Sequence, residues 1–364
     1  MKFANRFVSG TAAAAVLAAT MTLGAGSADA VERMRWPMPM AFASTLTALG
    51  DTAPWVAEKI AEMSDGAMRF EVFEPGKLIP ALGVFDAVSE GKVESGYSWM
   101  GYEIGKVPAS ALFGARPFGL EPADYVAWYY YGGGRELAIE TFKPHNVYPV
   151  FCGTISPEAA GWFRFEIESL DQLKGLKVRA AGLGGKVLQE VGSSVTLLPG
   201  GELYQALEKG VLDGTEFSLP TVDEQLGFHK VAKFYHLPGW HQPSTSQFLY
   251  VNQAAWDSLD KQQQAIIETA CMAGVTHAIA KAEALQGPVL TKFTEELGVT
   301  AKRLPDDVLR ALQAATDKVL ADEAAKDPMF KKVLDSQLAF QQSHEPWKQL
   351  GYLPRDWSVD ASKN

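Results

Sequence analysis

The chain has 364 residues, 47% hydrophobic and 21% charged, which excludes a disordered protein and allows two ordinary domains, each with its own core. A net charge of −10 with no cluster of Lys and Arg excludes nucleic acid as a partner, because phosphate binding needs a basic face. Acidity of this size otherwise bears on solubility and leaves the ligand open.

In chain order, Lys2 and Arg6 precede the apolar stretch GTAAAAVLAATMTLGAG, and Ala28-Asp29-Ala30 fits a small-x-small cleavage site. Residues 1–30 therefore read as a signal peptide, with an exported mature chain beginning near Val31. No Cys follows the cleavage site to carry a lipid, and nothing later is apolar enough to span a membrane. MRWPMPMA reads as a strand, and residues 45–64 as a helix with Leu46, Leu49, Trp55, Val56, Ile60 and Met63 on its apolar positions. MRFEVFEP is the next strand, followed by a helix and then ESGYSWM as a third strand. VYPVFCGT (147–154) is a continuous apolar strand leaving this first block. In the second block LKGLKVRAAG is a strand, GGKVLQEVGS a helix ending at Gly192, and SVTLLPG a strand before another helix. SQFLYVNQAAWDSL (246–259) returns as a strand and short helix. Asp260 with Gln263 has the spacing of a capping box, and helical periodicity runs on to about Leu297. A helix of some 35 residues would be about 50 Å long, enough to brace two lobes.

One unit occurs twice. PGKLIPALGVFDAVSEGKVESGY (75–97) and LPGGELYQALEKGVLDGTEF (198–217) both open on Pro-Gly and pass through an apolar-periodic stretch. Both then reach Ala-hydrophobe-x-x-Gly followed by an acid and a small residue. Strand-helix-strand alternation around each copy implies parallel sheets flanked by helices, hence two similar α/β lobes. The crossings at 147–154 and 246–259 divide the chain into a first lobe of 31–152 plus 247–364 and a second lobe of 153–246. In open sheets of this kind ligands bind beyond the carboxyl ends of the strands, so two lobes face one cleft and hinge closure buries what lies between them. Tyr97 and Glu216 hold equivalent positions in the two copies and are expected at that cleft.

The run EAAGWFRFEIESLDQLKGLKVRAAGLGGKVLQEVGSSVTLLPGGELYQALEKGVLDGTEF, continuing to LGFHKVAKFYHLPGWHQP, resembles the solute-binding proteins of tripartite ATP-independent periplasmic (TRAP) transporters. GWFR and PGWH are similar to the branch that binds 2-oxo acids such as pyruvate. The resemblance implies a two-lobed periplasmic-binding-protein-like fold with hinge strands and a bracing helix. It also implies a periplasmic location, a small organic carboxylate as ligand and the TRAP membrane permease subunits as partners. By the same resemblance Arg179 takes the solute carboxylate, in agreement with what a guanidinium fork on a rigid strand does best. In that branch a glutamine, a glutamate and the aromatic after it form a sodium site touching the solute; here these positions hold Glu158, Glu216 and Phe217. Position 217 offers its main-chain carbonyl whatever its side chain.

Glu158 departs from that pattern. With a glutamine, one Arg, one Glu, one sodium and a monocarboxylate sum to zero; with an ionised Glu158 the set carries one excess negative charge. A buried unpaired charge costs several kcal/mol. Calcium in place of sodium restores neutrality, and carboxylate oxygens suit it. A solute bearing an ammonium group or a protonated Glu158 does so as well. Trp99 and Phe42, with Tyr97 and Phe217, complete the expected pocket, while His241 reads as a structural histidine. Cys152 and Cys271 lack metal spacing and read as two buried thiols. No nucleophile elbow, catalytic histidine arrangement or cofactor fingerprint occurs, so binding is expected in preference to a carboxylate-pair hydrolase. At the C-terminus Met329, Phe330, Val333, Leu334, Leu338, Phe340 and Trp347 form an apolar surface at helical spacing. In the 2-oxo acid branch such a helix is exchanged between subunits, which implies a homodimer.

Overall fold

The computed structural model describes residues 31–353 and 355; the signal-peptide reading falls on residues 1–30, outside the described part. Among the described residues the strands are β1 (Met34–Pro39), β2 (Met68–Phe73), β3 (Ser95–Trp99), β4 (Val147–Ile155), β5 (Gly161–Phe163) and β6 (Lys177–Arg179). They continue with β7 (Ser194–Thr196), β8 (Gly214–Thr215), β9 (Phe234–Leu237), β10 (Thr245–Asn252) and β11 (Thr300–Arg303). Alternating apolar residues carry β1 and β2, which pair in parallel from Met34↔Met68 to Pro39↔Phe73. A bridge between Met40 and Tyr97 connects this pair to the sheet β3-β10-β4. The second lobe holds the six-stranded sheet β11-β9-β5-β8-β6-β7.

Two lobes are therefore present, but the sheets are mixed. β1/β2, β6/β7, β6/β8 and β9/β11 are parallel, as expected. β4 and β10 are antiparallel, because the chain leaves the first lobe along one and returns along the other. A second difference concerns the division of the chain. Residues after 247 were expected in the first lobe, yet β11 pairs with β9 and so extends the second lobe's sheet.

The long helix spans Lys261–Glu295, and its start carries the expected box: the Asp260 carboxylate accepts from the Gln263 amide at 2.7 Å, and Gln263 Oε1 accepts from the Asp260 amide at 2.9 Å. Its first half packs Ile266, Ile267 and Cys271 into the apolar cluster of β1, β2 and the Thr52–Met63 helix. Its far end buries Phe293 against Trp162 and Tyr235 of the second lobe, with ring centroids 5.1 and 5.6 Å away. One rigid rod thus contacts both lobes.

Cys152 and Cys271 are not two thiols but a disulfide, joining β4 to the long helix across 119 residues of chain. Helix packing on the strand brings their Cα atoms to 4.0 Å, a proximity that spacing along the sequence does not announce. Closing a loop of that size stabilises a fold by about 4–5 kcal/mol. The C-terminal helix, Pro328–Gly351, lies on its own chain: Phe330, Val333 and Leu334 are buried, and Gln337 Nε2 donates to Leu112 O at 2.8 Å. Leu338, Trp347, Leu350, Tyr352 and Leu353 stay exposed at its outer side and end.

Candidate functional site

Arg179 closes the short strand β6 and is almost completely buried. Its Nε donates to Leu198 O at 3.1 Å, and its Nη1 donates to Glu216 O at 2.8 Å and to Glu216 Oε1 at 2.9 Å. Three of the guanidinium's five N–H donors are committed in this way, which leaves the two of Nη2; the Tyr102 hydroxyl lies close to the guanidinium. The Phe217 ring stacks on the guanidinium with its centroid 5.1 Å from the central carbon. Glu216 Oε1 also accepts from the Ala181 amide at 2.8 Å, where the strand turns into the Gly182–Glu190 helix. Burial pushes the Glu216 carboxyl up, but Arg179, His241 and the Ala181 amide outweigh it and hold it below the usual carboxylate range.

Glu158 comes from the connection between β4 and β5. Its backbone is pinned to the loop that follows β9: Gly239 N donates to Glu158 O at 2.8 Å, and Glu158 N donates to Gln242 O at 3.2 Å. Glu158 Oε1 accepts from Thr245 Oγ1 at 2.8 Å, and that oxygen in turn accepts from Gln242 Nε2 at 2.8 Å. The carboxyl is 2% exposed, so it faces the site. Burial first and Glu216 second push it well above its usual range.

His241 completes the polar group. Its Nε2 lies 3.4 Å from Glu216 Oε2 and 3.8 Å from Glu158 Oε2. None of these three atoms has a hydrogen-bond partner among the described residues. They converge within 4.8 Å of one another. Three converging, buried and unpaired donors fit a cation, since buried polar atoms otherwise find partners. Gly184 makes room for the ring: a Cβ there would lie 2.8 Å from His241 Cβ. The first lobe contributes Phe42, Leu49, Trp99 and Tyr102 to the opposite wall, with Trp99 Nε1 buried and unpartnered. Burial, with Glu216 and Glu158 adding to it, pushes the Tyr102 hydroxyl up to about 12, so it remains a neutral donor. The enclosed space measures about 10 Å³ and opens past Phe42 and Phe217 into an apolar mouth of about 650 Å³. Pro75, Leu82, Pro199 and Leu226, from the Pro-Gly turns of both repeats and the helix beyond the second, line that mouth.

The structure thus brings Arg179, Glu158, Glu216, Phe217, Trp99 and Phe42 together. It does not bring Tyr97. That residue sits mid-strand in β3 with its side chain in the apolar cluster of β1, β2 and the Thr52–Met63 helix. Sequence reasoning also missed His241 and Tyr102 as residues of this region. Their signal was the Pro-Gly-Trp-His turn and the strand end after Trp99, both loop positions where binding groups collect.

The model of the bacterial extracellular solute-binding proteins, family 7, matches residues 40–327. This chain belongs to that family. A monocarboxylate 2-oxoacid-binding periplasmic protein of Nostoc sp. is 36% identical over 97% of this chain and 96% of its own. Among solved structures, a TRAP transporter solute-binding protein from Bordetella bronchiseptica superimposes with a TM-score of 0.86 at 32% identity, over 88% of this chain and 95% of that one. It is a mixed-occupancy dimer with calcium and picolinate bound in one site. A TRAP periplasmic solute-binding protein from Pseudoalteromonas atlantica, with bound sodium and pyruvate, gives 0.84 at 34% identity, over 87% and 97%. The two-lobed fold of these TRAP proteins is the fold of this chain. The family is one of transport proteins, and among the described residues no helix is long and apolar enough to cross a membrane.

Proposed function

We propose that this protein is the exported receptor of a TRAP transporter, capturing a small monocarboxylate, a 2-oxo or hydroxy acid, between its lobes. The mature chain then starts after a signal peptide and hands its solute to the membrane permease for secondary active uptake. The observation that carries the reading is the buried Arg179–Glu216 pair with Nη2 left over, beside the unpaired oxygens Glu158 Oε2 and Glu216 Oε2, at a space that both lobes line. Arg179 receives the solute carboxylate through Nη2, and Glu216 holds the guanidinium in place. Trp99 Nε1 and the Tyr102 hydroxyl supply neutral donors for a second solute oxygen. Glu158, Glu216 and the main-chain carbonyl of Phe217 are the residues that would hold a cation. Such an ion supplies the positive charge that two carboxylates and an anionic solute require beside one arginine. Charge balance favours a divalent ion, of which the calcium in the Bordetella relative is an example. The apolar mouth accepts the solute's tail, short alkyl or aromatic.

Mass spectrometry of small molecules retained on the purified protein, followed by titration calorimetry with pyruvate, tests the reading. Binding should weaken strongly in EDTA, recover with a divalent ion but not with sodium alone, and return the solute unaltered. A chemically changed solute would turn the reading toward an enzyme that uses the Glu158–Glu216 pair. We also propose that Leu338 and Leu350, along a groove of about 670 Å³ beside the C-terminal helix, and the exposed Trp347 of the same helix are covered by a second copy. The dimer reported for the Bordetella protein supports this, and light scattering showing a monomer would exclude it.

A further inference from the structure

We infer that Gln225 clasps the two lobes together at the mouth of the cleft and so sets how long a captured solute stays. The inference rests on the reading above, that solute is captured between the lobes, and adds the residue that holds them shut.

Gln225 belongs to the second lobe, on the Pro220–Leu226 helix that follows β8, and its side chain reaches a first-lobe loop between β1 and the Thr52–Met63 helix. Its Oε1 accepts from Thr47 N at 3.0 Å, and its Nε2 donates to Thr45 O at 3.0 Å and to Thr47 Oγ1 at 3.2 Å. A main-chain N–H and a main-chain carbonyl thus meet opposite ends of one amide, which fixes the way that amide points. The neighbours locate the contact. Leu46, between the two threonines, and Leu226, next to Gln225, both line the apolar mouth. Ser244 Oγ, which donates to Leu120 O at 3.0 Å, joins the lobes instead beside the crossing strand β10. Lobes that swing about their crossing strands disturb a contact beside the strand least and one at the mouth most.

Each end of the clasp is held by its own lobe. In the loop, Ser44 N donates to Glu74 Oε2 at 3.1 Å, and Ser44 Oγ donates to the same carboxylate. Ala48 N donates to Asp51 Oδ1 at 2.8 Å, Gly50 N donates to Leu46 O at 2.9 Å, and the Leu46 side chain is buried. The fold is tight enough that a Cβ at Gly50 would lie 1.9 Å from Ala43 O. On the helix, Val222 is fully buried, Thr221 N donates to Gln286 Oε1 at 3.1 Å, and Glu224 pairs with Lys292. Neither end can follow the other when the lobes part, so opening breaks all three bonds at once. Gln225 is exposed, and in an open form water takes the place of each partner. The net gain is therefore that of an exchange of hydrogen bonds, modest for each. Because the bonds form only after the lobes approach, they slow departure of the solute and leave its arrival alone.

The test uses the mature protein with pyruvate as the probe in calcium-containing buffer, followed by stopped-flow fluorescence of its tryptophans, of which Trp99 lines the site. Gln225→Ala should raise the dissociation rate about five- to thirtyfold and leave the association rate within about threefold. Thr47→Val deletes only the Oγ1 bond and should have a smaller effect. Added to Gln225→Ala it should change the rate by less than about twofold, because its partner is already gone. A dissociation rate unchanged in Gln225→Ala, or effects that simply multiply in the double variant, would overturn the clasp. Spin labels on Lys77→Cys and Lys209→Cys, exposed positions on the two lobes, read the distance between them with the native disulfide intact. Pyruvate should shorten that distance in wild type, and failure to do so would remove the reading of pyruvate capture. The clasp is then judged on the solute-free protein. There Gln225→Ala should shift the distribution toward longer distances, and an unchanged distribution overturns the inference.

Discussion

The two Pro-Gly units of this chain are alike bond for bond in the turn that follows their helices. In the first, Gly91 has φ of 69°, its amide donates to Val88 O at 3.0 Å, and Lys92 N donates to Ala87 O at 2.8 Å. In the second, Gly210 has φ of 71°, its amide donates to Leu207 O at 3.1 Å, and Val211 N donates to Ala206 O at 3.0 Å. Past the turn they part. β3 runs through five residues paired with β10, so Tyr97 lies mid-strand and packs into an apolar cluster. β8 stops after Gly214 and Thr215, so Glu216 is the first residue beyond the strand and turns to Arg179. Equivalent backbone grammar therefore produced one residue packed in an apolar cluster and one paired with a buried arginine. What decides is whether the sheet continues past the position, not the position in the repeat.

The largest effect should come from breaking the second unit's arginine pair. Arg179→Ala removes the solute's partner and leaves Glu216 buried without its cation. Solute affinity should fall about a thousandfold or more, since truncating one member of a buried charge pair costs several kcal/mol. The melting temperature should fall too. Adding Glu216→Gln to Arg179→Ala should recover stability but not binding, which calorimetry and thermal melting read separately. Affinity within tenfold of wild type in Arg179→Ala would move the anion site elsewhere.

Next is the covalent difference between the lobes. The disulfide ties the first lobe's crossing strand to the long helix, whereas the second lobe holds that helix non-covalently, by packing on Phe293, by the Thr221–Gln286 hydrogen bonds and by the Lys292–Glu224 ion pair. Replacing both Cys152 and Cys271 by Ala should cost about 2–5 kcal/mol in denaturant unfolding. Solute affinity should change by less than a few-fold, because the bond is no part of the polar site. A large loss of affinity with little loss of stability would show that the bond positions the lobes for binding.

Much of this was legible in the chain. Apolar periodicity marked the alternation of strands and helices, the repeat announced two lobes, and the Asp260–Gln263 box placed the start of the long helix. Glu216 was singled out by its place in the repeat, and Arg179 and Glu158 by the resemblance to TRAP solute-binding proteins, with a guanidinium on a rigid strand agreeing for Arg179. Three things were not. Cys152 and Cys271 meet only through helix-on-strand packing, β11 joins a distant sheet, and His241 comes beside Glu158 and Glu216 through a loop folding back over Glu158. Each is a long-range contact, and local pattern carries no record of it.

The acids that follow the two units offer a finer contrast. Glu103 comes just after the first unit's strand, 3% exposed, and burial pushes it up to about 8 although Lys106 pulls it down. Glu216 is held low by its arginine. In the unfolded chain a glutamate ionises near pH ~4.3. Between that and about 8 the folded state keeps a proton that the unfolded state has lost, so Glu103 makes stability fall as pH rises through this window. Below it the loss vanishes, and above it the loss is constant. Glu103→Gln cannot ionise and should flatten that slope, gaining on wild type by on the order of 1–3 kcal/mol between pH ~5 and ~8. Parallel stability–pH curves from denaturant titrations would show Glu103 ionised in the folded state.

The smallest expected effect isolates the comparison most directly. Tyr97 stands where Glu216 stands in the other unit, yet its hydroxyl is buried without a hydrogen-bond partner among the described residues, and burial drives its acidity far below that of a free phenol. Tyr97→Phe removes only that oxygen. Deleting an unsatisfied buried polar atom while keeping the ring's packing should leave stability within about 1 kcal/mol of wild type, or raise it slightly. Solute affinity should stay within twofold, since Tyr97 shares its cluster with Met38 and Val56 rather than with Arg179. Glu216→Gln, the same kind of one-atom change in the other unit, alters a carboxylate that holds the arginine and should weaken solute binding by at least tenfold. Calorimetry on the two variants side by side gives the answer. If Tyr97→Phe lost tenfold in affinity as well, both units would reach the solute, and the length of β3 would not be what separates them.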